Sequence, residues 1–353
     1  MSDSARANYF DNAATTPLDP TALAEMLPYL EDDFGNANSI HAWGQRAHAA
    51  VETARQHVAD LLRCAPEEVV FTSGATESNN WILKSFSPVT VSPFEHSSVW
   101  ETAKTLGNRT LANDGYKLFA DPEAELVSVM LVNNETGAVL TPPPTKRLHR
   151  DVTQALGKLP IDLTGVGYAS MSAHKLYGPK GVGALYIRNA VPLGPLLNGG
   201  EQEDGLRAGT LNVPAIVGFG TACRLASERM ESDLHHVQSL REAVQETLSK
   251  VTDYRDNSSE SNSPYILSVS FLGVEGETLV VEADAKGYAV SSGAACSSRS
   301  KEPSHVLTAL GIEPEWLRGT VRVSFSRWNT EEAARDLAKA IAGAVEKLRS
   351  RGK

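Results

Sequence analysis

Short apolar runs recur along this chain with helix-period stretches between them, and that alternation limits the fold more than any other feature. The runs are VVF within EEVVFTSGATESNN, LVSVMLV (126–132), GALYI (183–187), ILSVSF (266–271) and TVRVSF (320–325). They are short and rich in Val, Leu, Ile or Phe, the pattern of strands buried on both faces. Before the first of them, Trp43, Ala47, Ala50, Val51, Ala54, Val58, Leu61 and Leu62 return at helical spacing, and the pattern stops near Cys64, ahead of Pro66. Strands alternating with helices predict an α/β chain with a mixed, mostly parallel sheet. Residues 233–251 read as a long amphipathic helix, followed by a strand, a helix, a strand and a final helix over 330–349. A division near residue 230 is therefore expected, with a large domain over 17–230, a smaller α+β domain over 231–353, and the segment 1–16 joining them.

Composition narrows the classes of function. Of 353 residues 41% are hydrophobic, which is enough for a core without staples. The net charge of -10 argues against nucleic acid as a main partner, because phosphate backbones call for a basic surface. Cys64, Cys223 and Cys296 are odd in number and far apart, which fits neither a disulfide framework nor a zinc site. The start, MSDSARANYFDN, lacks a signal-peptide pattern, and no run approaches the ~18 apolar residues that span a bilayer. A reducing cytoplasm, without a membrane partner, is the expected setting.

Four constellations could carry chemistry. SGATES (73–78) follows a strand and opens a helix; its small residues and the helix N-terminus suit a phosphate, although a plain strand-to-helix turn has the same look. SMSAHKLYGPKGVGALY (170–186) sets Lys175 beside Ser172, His174 and a glycine-rich turn. Such a lysine is either an ordinary surface residue or one that condenses with a cofactor aldehyde. DVTQALGKLPIDL (151–163) offers Asp151 either as a helix-start residue or as the carboxylate partner of a pyridinium nitrogen. SSGAACSSRS (291–300) holds Cys296 among small and polar residues, which suits a thiol that reacts better than one that packs.

Taken in order, YFDNAATTPLDP, FGNANSIHAWGQ, VVFTSGATESNN, FEHSSV, VNNETG, DVTQALGKLPIDL, SAHKLYGPKGVGALY, GGEQEDGLRAGTLNV, SVSFLGVEGETL, SSGAACSS and VRVSFSR resemble the motifs of a group I cysteine desulfurase nearly end to end. These are pyridoxal 5'-phosphate enzymes of aminotransferase class V, with the fold-type I architecture of that cofactor class. The resemblance implies that Lys175 binds the cofactor covalently and that Ala75, Thr76, Ser172 and His174 hold its phosphate. It implies that Asp151 keeps the pyridine nitrogen protonated and that Asn134 and Gln154 contact the phenolic oxygen. His96 would stack on the ring and help move protons, while Arg322 clamps the substrate carboxylate and Asn36 lies on the substrate side. Thr210 would reach the phosphate of the other subunit, so a homodimer with shared active sites is expected. Cys296 would attack the sulfur of L-cysteine, keep it as a persulfide and pass it to an acceptor protein for iron–sulfur cluster assembly or thiolation, with alanine released.

The resemblance leaves room for a selenocysteine lyase or related β-lyase, and for a non-catalytic assembly subunit on the same fold. The second is suggested by trimming. Only 15 residues separate Glu135 from Asp151, and Pro142, Pro143 and Pro144 are among them. The crossover helix usual at such a place is expected to be absent or replaced by a loop.

Overall fold

The computed structural model describes residues 3–293 and 303–351. The first core forms on a sheet of seven strands: β1 (Val69–Thr72), β2 (Val89–Val91), β3 (Arg109–Thr110), β6 (Leu126–Ser128), β7 (Leu148–Asp151), β8 (Val166–Ser172) and β9 (Gly183–Ile187), with a small ribbon of β4 (Asn113–Asp114) and β5 (Lys117–Leu118) beside it. Their spatial order is β1-β9-β8-β7-β6-β2-β3. Every neighbour pair from β8 to β3 is parallel, and only β9 runs against its two neighbours. β1, β2, β6, β7 and β8 are buried along their whole lengths, as strands covered on both faces must be.

The helix Ala42–Leu62 shows why the periodicity was informative. Ala47, Val51, Ala54, Val58 and Leu62 form one buried stripe, and a fully buried valine or leucine there contributes about 1.5–3 kcal/mol. The helix stops where Arg63 takes a left-handed conformation (φ 57°) three residues before Pro66. Its stripe lies on the helix Val213–Leu248, and the approach is tight because Gly220 faces Ala54: a Cβ added at Gly220 would sit 2.5 Å from the Ala54 Cα.

That helix is longer than the periodicity of 233–251 predicts. It runs unbroken for 36 residues through position 230. Its first half packs into the large sheet's core, up to Ala226, and its second half, from Val237, into a separate core. The first half is buried on nearly every side and the second half along one stripe only, so no single amphipathic period runs the whole length. The second core covers an antiparallel sheet of β10 (Tyr254–Asp256), β11 (Ile266–Phe271), β13 (Thr320–Ser324) and β12 (Ser291–Ser292), in that order, with the helix Glu331–Arg351 against it. The N-terminal segment threads between the two units. Tyr9 and Asp11 bridge to Ala289 and Ser324, while Thr16 N–H donates to the His174 carbonyl.

The trimmed crossover between β6 and β7 contains no helix, as its length and prolines predict. The chain turns back at Asn133–Gly137, and a strap with Pro143 buried carries it to β7; Arg150 Nη2 holds the strap by donating to the Leu140 carbonyl at 2.9 Å. β7 still finds its register, since Leu131 N–H donates to the Asp151 carbonyl and Asp151 pairs with Ser170 of β8. Ladder bonds on both sides place Asp151 whatever the lead-in.

Candidate active site

The C-terminal ends of β1, β2, β6, β7 and β8, with the turns after them, open on a cavity of about 280 Å³ closed on its far side by Arg322 of β13 and by Ala13 and Ala14. A crevice at the carboxyl ends of parallel strands is where open α/β sheets bind ligands.

After β1 the chain turns at Gly74, whose φ of 150° and lack of a Cβ let Ser172 come close; a Cβ there would lie 3.2 Å from the Ser172 Oγ. The helix Ala75–Ser85 starts at the cavity wall behind Gly74, an N-cap with no side chain of its own, so the positive end of its dipole lies at the site. Ala75 N–H donates to Ser172 Oγ at 2.7 Å, and Thr76 also lines the cavity. Thus the turn at 74–76 and the end of β8 form one wall from two distant motifs.

Three residues past Ser172, Lys175 reaches the opposite wall. Its Nζ donates to the carbonyls of Ala13 and Ala14, each at 2.6 Å. His174 contacts Thr15 Oγ1 through Nδ1 at 3.1 Å. Burial pushes its pKa down to about 4, and the charges of Lys175, Lys180 and Lys158 act the same way.

Asp151 is 4% exposed and makes no ion pair among the described residues. Its Oδ2 accepts from Asn79 Nδ2 at 2.8 Å and its Oδ1 from the Thr153 amide at 2.9 Å. Asn79 Nδ2 also reaches Ser98 Oγ, which in turn contacts His96 Nδ1 at 2.9 Å. His96 caps the helix Ser97–Thr105 by accepting the Ser98 amide on Nδ1, so a neutral ring carries its proton on Nε2. Burial lowers its pKa; Asp151 opposes that shift and Lys175 adds to it.

Gln154 Nε2 donates to the Ala13 carbonyl at 2.9 Å. Arg322, 2% exposed, donates from Nη1 to the Asn134 carbonyl and from Nη2 to Asp11 Oδ1, both at 2.8 Å, while its Nε has no partner among the described residues. Its positive charge is thus anchored but only partly satisfied at the cavity edge.

Ala75, Thr76, His96, Asn134, Asp151, Gln154, Ser172, His174, Lys175 and Arg322 all line this one cavity, although they come from six separate stretches of sequence. Asn36 and Thr210 are exposed and do not line it. Cys296 lies outside the described residues. Sequence reasoning missed the Ala13 and Ala14 carbonyls, Asn79 and Thr153. Asn79 and Thr153 stand inside motifs already quoted; the carbonyls leave no trace in side-chain patterns.

Pyridoxal 5'-phosphate needs an amine, an anion cradle and a carboxylate for its ring nitrogen. The residues present fit it. A buried carboxylate held only by neutral donors is costly unless a cation joins it, and a pyridinium nitrogen would be that cation. Thr153 Oγ1, at the cavity wall, is buried without a partner among the described residues, and so expects a polar group from a ligand.

Comparison with known proteins agrees with this geometry. The aminotransferase class-V family matches residues 8–337. The cysteine desulfurase IscS of Neisseria meningitidis serogroup C (strain 053442) is 40% identical, over 97% of this chain and 93% of its own. Cysteine desulfurase IscS 1 of Archaeoglobus fulgidus is 36% identical, over 97% and 98%. Among solved structures, a NifS-like protein superposes with a TM-score of 0.87 at 36% identity, covering 96% of this chain and 99% of its own. A structure described as SspA in complex with cysteine gives 0.76 at 30% identity, covering 92% and 100%. With an amine, an anion cradle and a buried carboxylate already facing one another in the cavity, these likenesses settle the family: the chain belongs to aminotransferase class V and, within it, to the pyridoxal-phosphate-dependent cysteine desulfurases.

Proposed function

We propose that L-cysteine desulfuration takes place in this cavity, with Lys175 as cofactor-holding amine and proton carrier, and Cys296 as sulfur acceptor. The observation that carries the assignment is Asp151, a buried carboxylate without a cationic partner among the described residues, on the wall shared with Lys175. When bound, the cofactor would supply an electron sink for negative charge developing on the substrate. Ala75, Thr76, Ser172 and His174 would hold its phosphate, Asn134 and Gln154 its phenolic oxygen, and Asp151 its ring nitrogen.

The chain's own residues do the rest. Arg322 orients the substrate through its carboxylate, a task suited to a planar guanidinium. Lys175 would act as the general base that takes the α-proton. His96, neutral with its proton on Nε2, is set to donate. The thiolate of Cys296 attacks the substrate sulfur. An S–S bond forms, the Cβ–S bond breaks with its electrons going to carbon, and protonation there gives alanine.

Thr210 would complete the phosphate site of a second copy in a homodimer. Exposed apolar side chains near Asn36 support such an interface: Phe34 is 72% and Ile40 91% exposed. Sulfur then passes to an acceptor protein for iron–sulfur clusters or thiolation. No helix among the described residues is long and apolar enough to cross a membrane, and a reactive thiol suits a reducing cytoplasm.

The test is purified protein mixed with L-cysteine, following the visible cofactor band and alanine. Lys175→Ala should lose the covalent band and turnover together. Cofactor bound without alanine formation by the unaltered protein would refute the reading.

A further inference from the structure

Lys158 has no part in the chemistry above, yet its amine lies at the back of the site. It follows Gln154 by four residues in the turn after β7, is 3% exposed, and donates from Nζ to Gln154 Oε1 at 3.4 Å. Its other close neighbour is the ring of Tyr265, with the centroid 5.6 Å away. It makes no ion pair among the described residues. The charged or titratable groups facing it are Lys175 and His174 from the turn after β8, Arg322 from β13 and Tyr265 ahead of β11. Tyr265 is kept protonated by burial, and Arg322 is already bonded to Asp11.

An ammonium taken from water without a counter-ion costs several kcal/mol, and a methionine of similar length would pack there without that cost. The position holds lysine nonetheless, and the hydrogen bonds suggest why. Lys158 Nζ donates to the oxygen of the Gln154 amide, which leaves the nitrogen end for the site. Gln154 Nε2 donates to the Ala13 carbonyl, and Lys175 Nζ donates to that same oxygen. The chain Lys158–Gln154–Ala13–Lys175 thus runs from the buried amine to the catalytic one. An amide bonded at its oxygen by an ammonium cannot flip without placing its NH₂ against that cation.

We propose that Lys158 is a positioning residue: it fixes the orientation of Gln154 and sets a second positive charge behind Lys175, which lowers the proton affinity of the nitrogen that holds the cofactor. This rests on the reading that Lys175 carries the cofactor. Burial and the charges of Lys175 and Arg322 bring the pKa of Lys158 itself down to about 7, so this charge is present in full only in mildly acidic solution.

The experiment is a pH titration of the visible cofactor band in the holoenzyme, without substrate, for the unaltered protein, Lys158→Met, Lys158→Gln and Lys158→Arg. A like charge disfavours protonation of its neighbour, so the spectral transition should move up by about 0.5 pH unit or more in Lys158→Met and Lys158→Gln. Lys158→Arg keeps the donor and carries its charge at every pH, so its transition should lie at or below that of the unaltered protein and not move up. Unchanged transitions in the two neutral variants would overturn the proposal. So would failure of all three variants to fold, since that shows a packing role alone. A cofactor band missing from the unaltered protein would instead refute the Lys175 reading, so the two failures are distinct.

Discussion

Lys175 Nζ lies 2.6 Å from the carbonyl oxygen of Ala13, a residue 162 positions earlier in the chain. The N-terminal segment that supplies this carbonyl is pinned to the small sheet at Tyr9 and Asp11 and to the turn after β8 at Thr16. The Lys175 amine is therefore held by backbone that spans both cores.

Asp151→Asn keeps a side chain of the same shape but loses the charge and one of the two acceptor oxygens that take the Asn79 and Thr153 donors. Removing a preorganised charge from a buried site typically costs about 100-fold or more in rate. We expect kcat for alanine release to fall by that order, with the fold intact by circular dichroism. Equal turnover in the two proteins would mean that Asp151 does not face the ring nitrogen.

Asn79→Ala tests a residue that no motif reading singled out. It removes the donor shared by Asp151 and Ser98 and leaves a buried carboxylate one bond short. A loss of about 1–3 kcal/mol in unfolding free energy is expected, together with weaker cofactor retention on dialysis. Denaturant melts with and without added pyridoxal phosphate separate the two effects.

Glu95 makes a pH prediction. It is wholly buried, accepts from Ser92 Oγ and Met130 N–H on Oε1, and has no partner for Oε2 among the described residues. Burial raises its pKa from 4.5 to about 7. A carboxyl whose folded pKa is raised binds more protons folded than unfolded, so its contribution is complete below about pH 4.5 and is lost as pH rises through about 7. Glu95→Gln is neutral throughout. Its melting temperature relative to the unaltered protein should therefore rise between pH 5 and pH 8, by the equivalent of about 1–3 kcal/mol. A difference independent of pH would show that Glu95 ionises normally. His174 and His149, each lowered to about 4, titrate in both proteins and cancel in the comparison.

Cys296→Ser should retain the cofactor band and lose alanine formation from L-cysteine, because a hydroxyl does not take sulfur from a thiol. Mass spectrometry of the unaltered protein after one turnover should find one added sulfur atom on the peptide carrying Cys296. Sulfur on Cys64 or Cys223 instead would reassign the acceptor; burial raises the thiol pKa of both, which makes them poor nucleophiles.

Much of the site was legible because its chemistry sits at the ends of strands. A strand end needs a turn, and turns use small residues, so SGATES and SAHKLYGPKG stand out against apolar runs. GALYI and ILSVSF are strands over the full ranges read from sequence, but LVSVMLV pairs as a strand only over Leu126–Ser128. Beyond Ser128 the chain keeps single ladder bonds to β7 and then folds back at Asn133.

The sequence by itself determined the alternation of strand and helix, the loss of the crossover helix among the prolines, and which side chains could bind an aldehyde, a phosphate and a carboxylate. Those follow from local sterics, burial period and residue chemistry, which act over a few positions. Tertiary structure alone decided that Ala13 and Ala14 lend their carbonyls to Lys175, that Asn79 ties Asp151 to His96, that Lys158 stands behind Gln154, and that one helix serves two cores. Apart from the local Lys158–Gln154 bond, these contacts join residues far apart in the chain that meet only in the packed fold, and backbone carbonyls carry no mark in the sequence of where they will point.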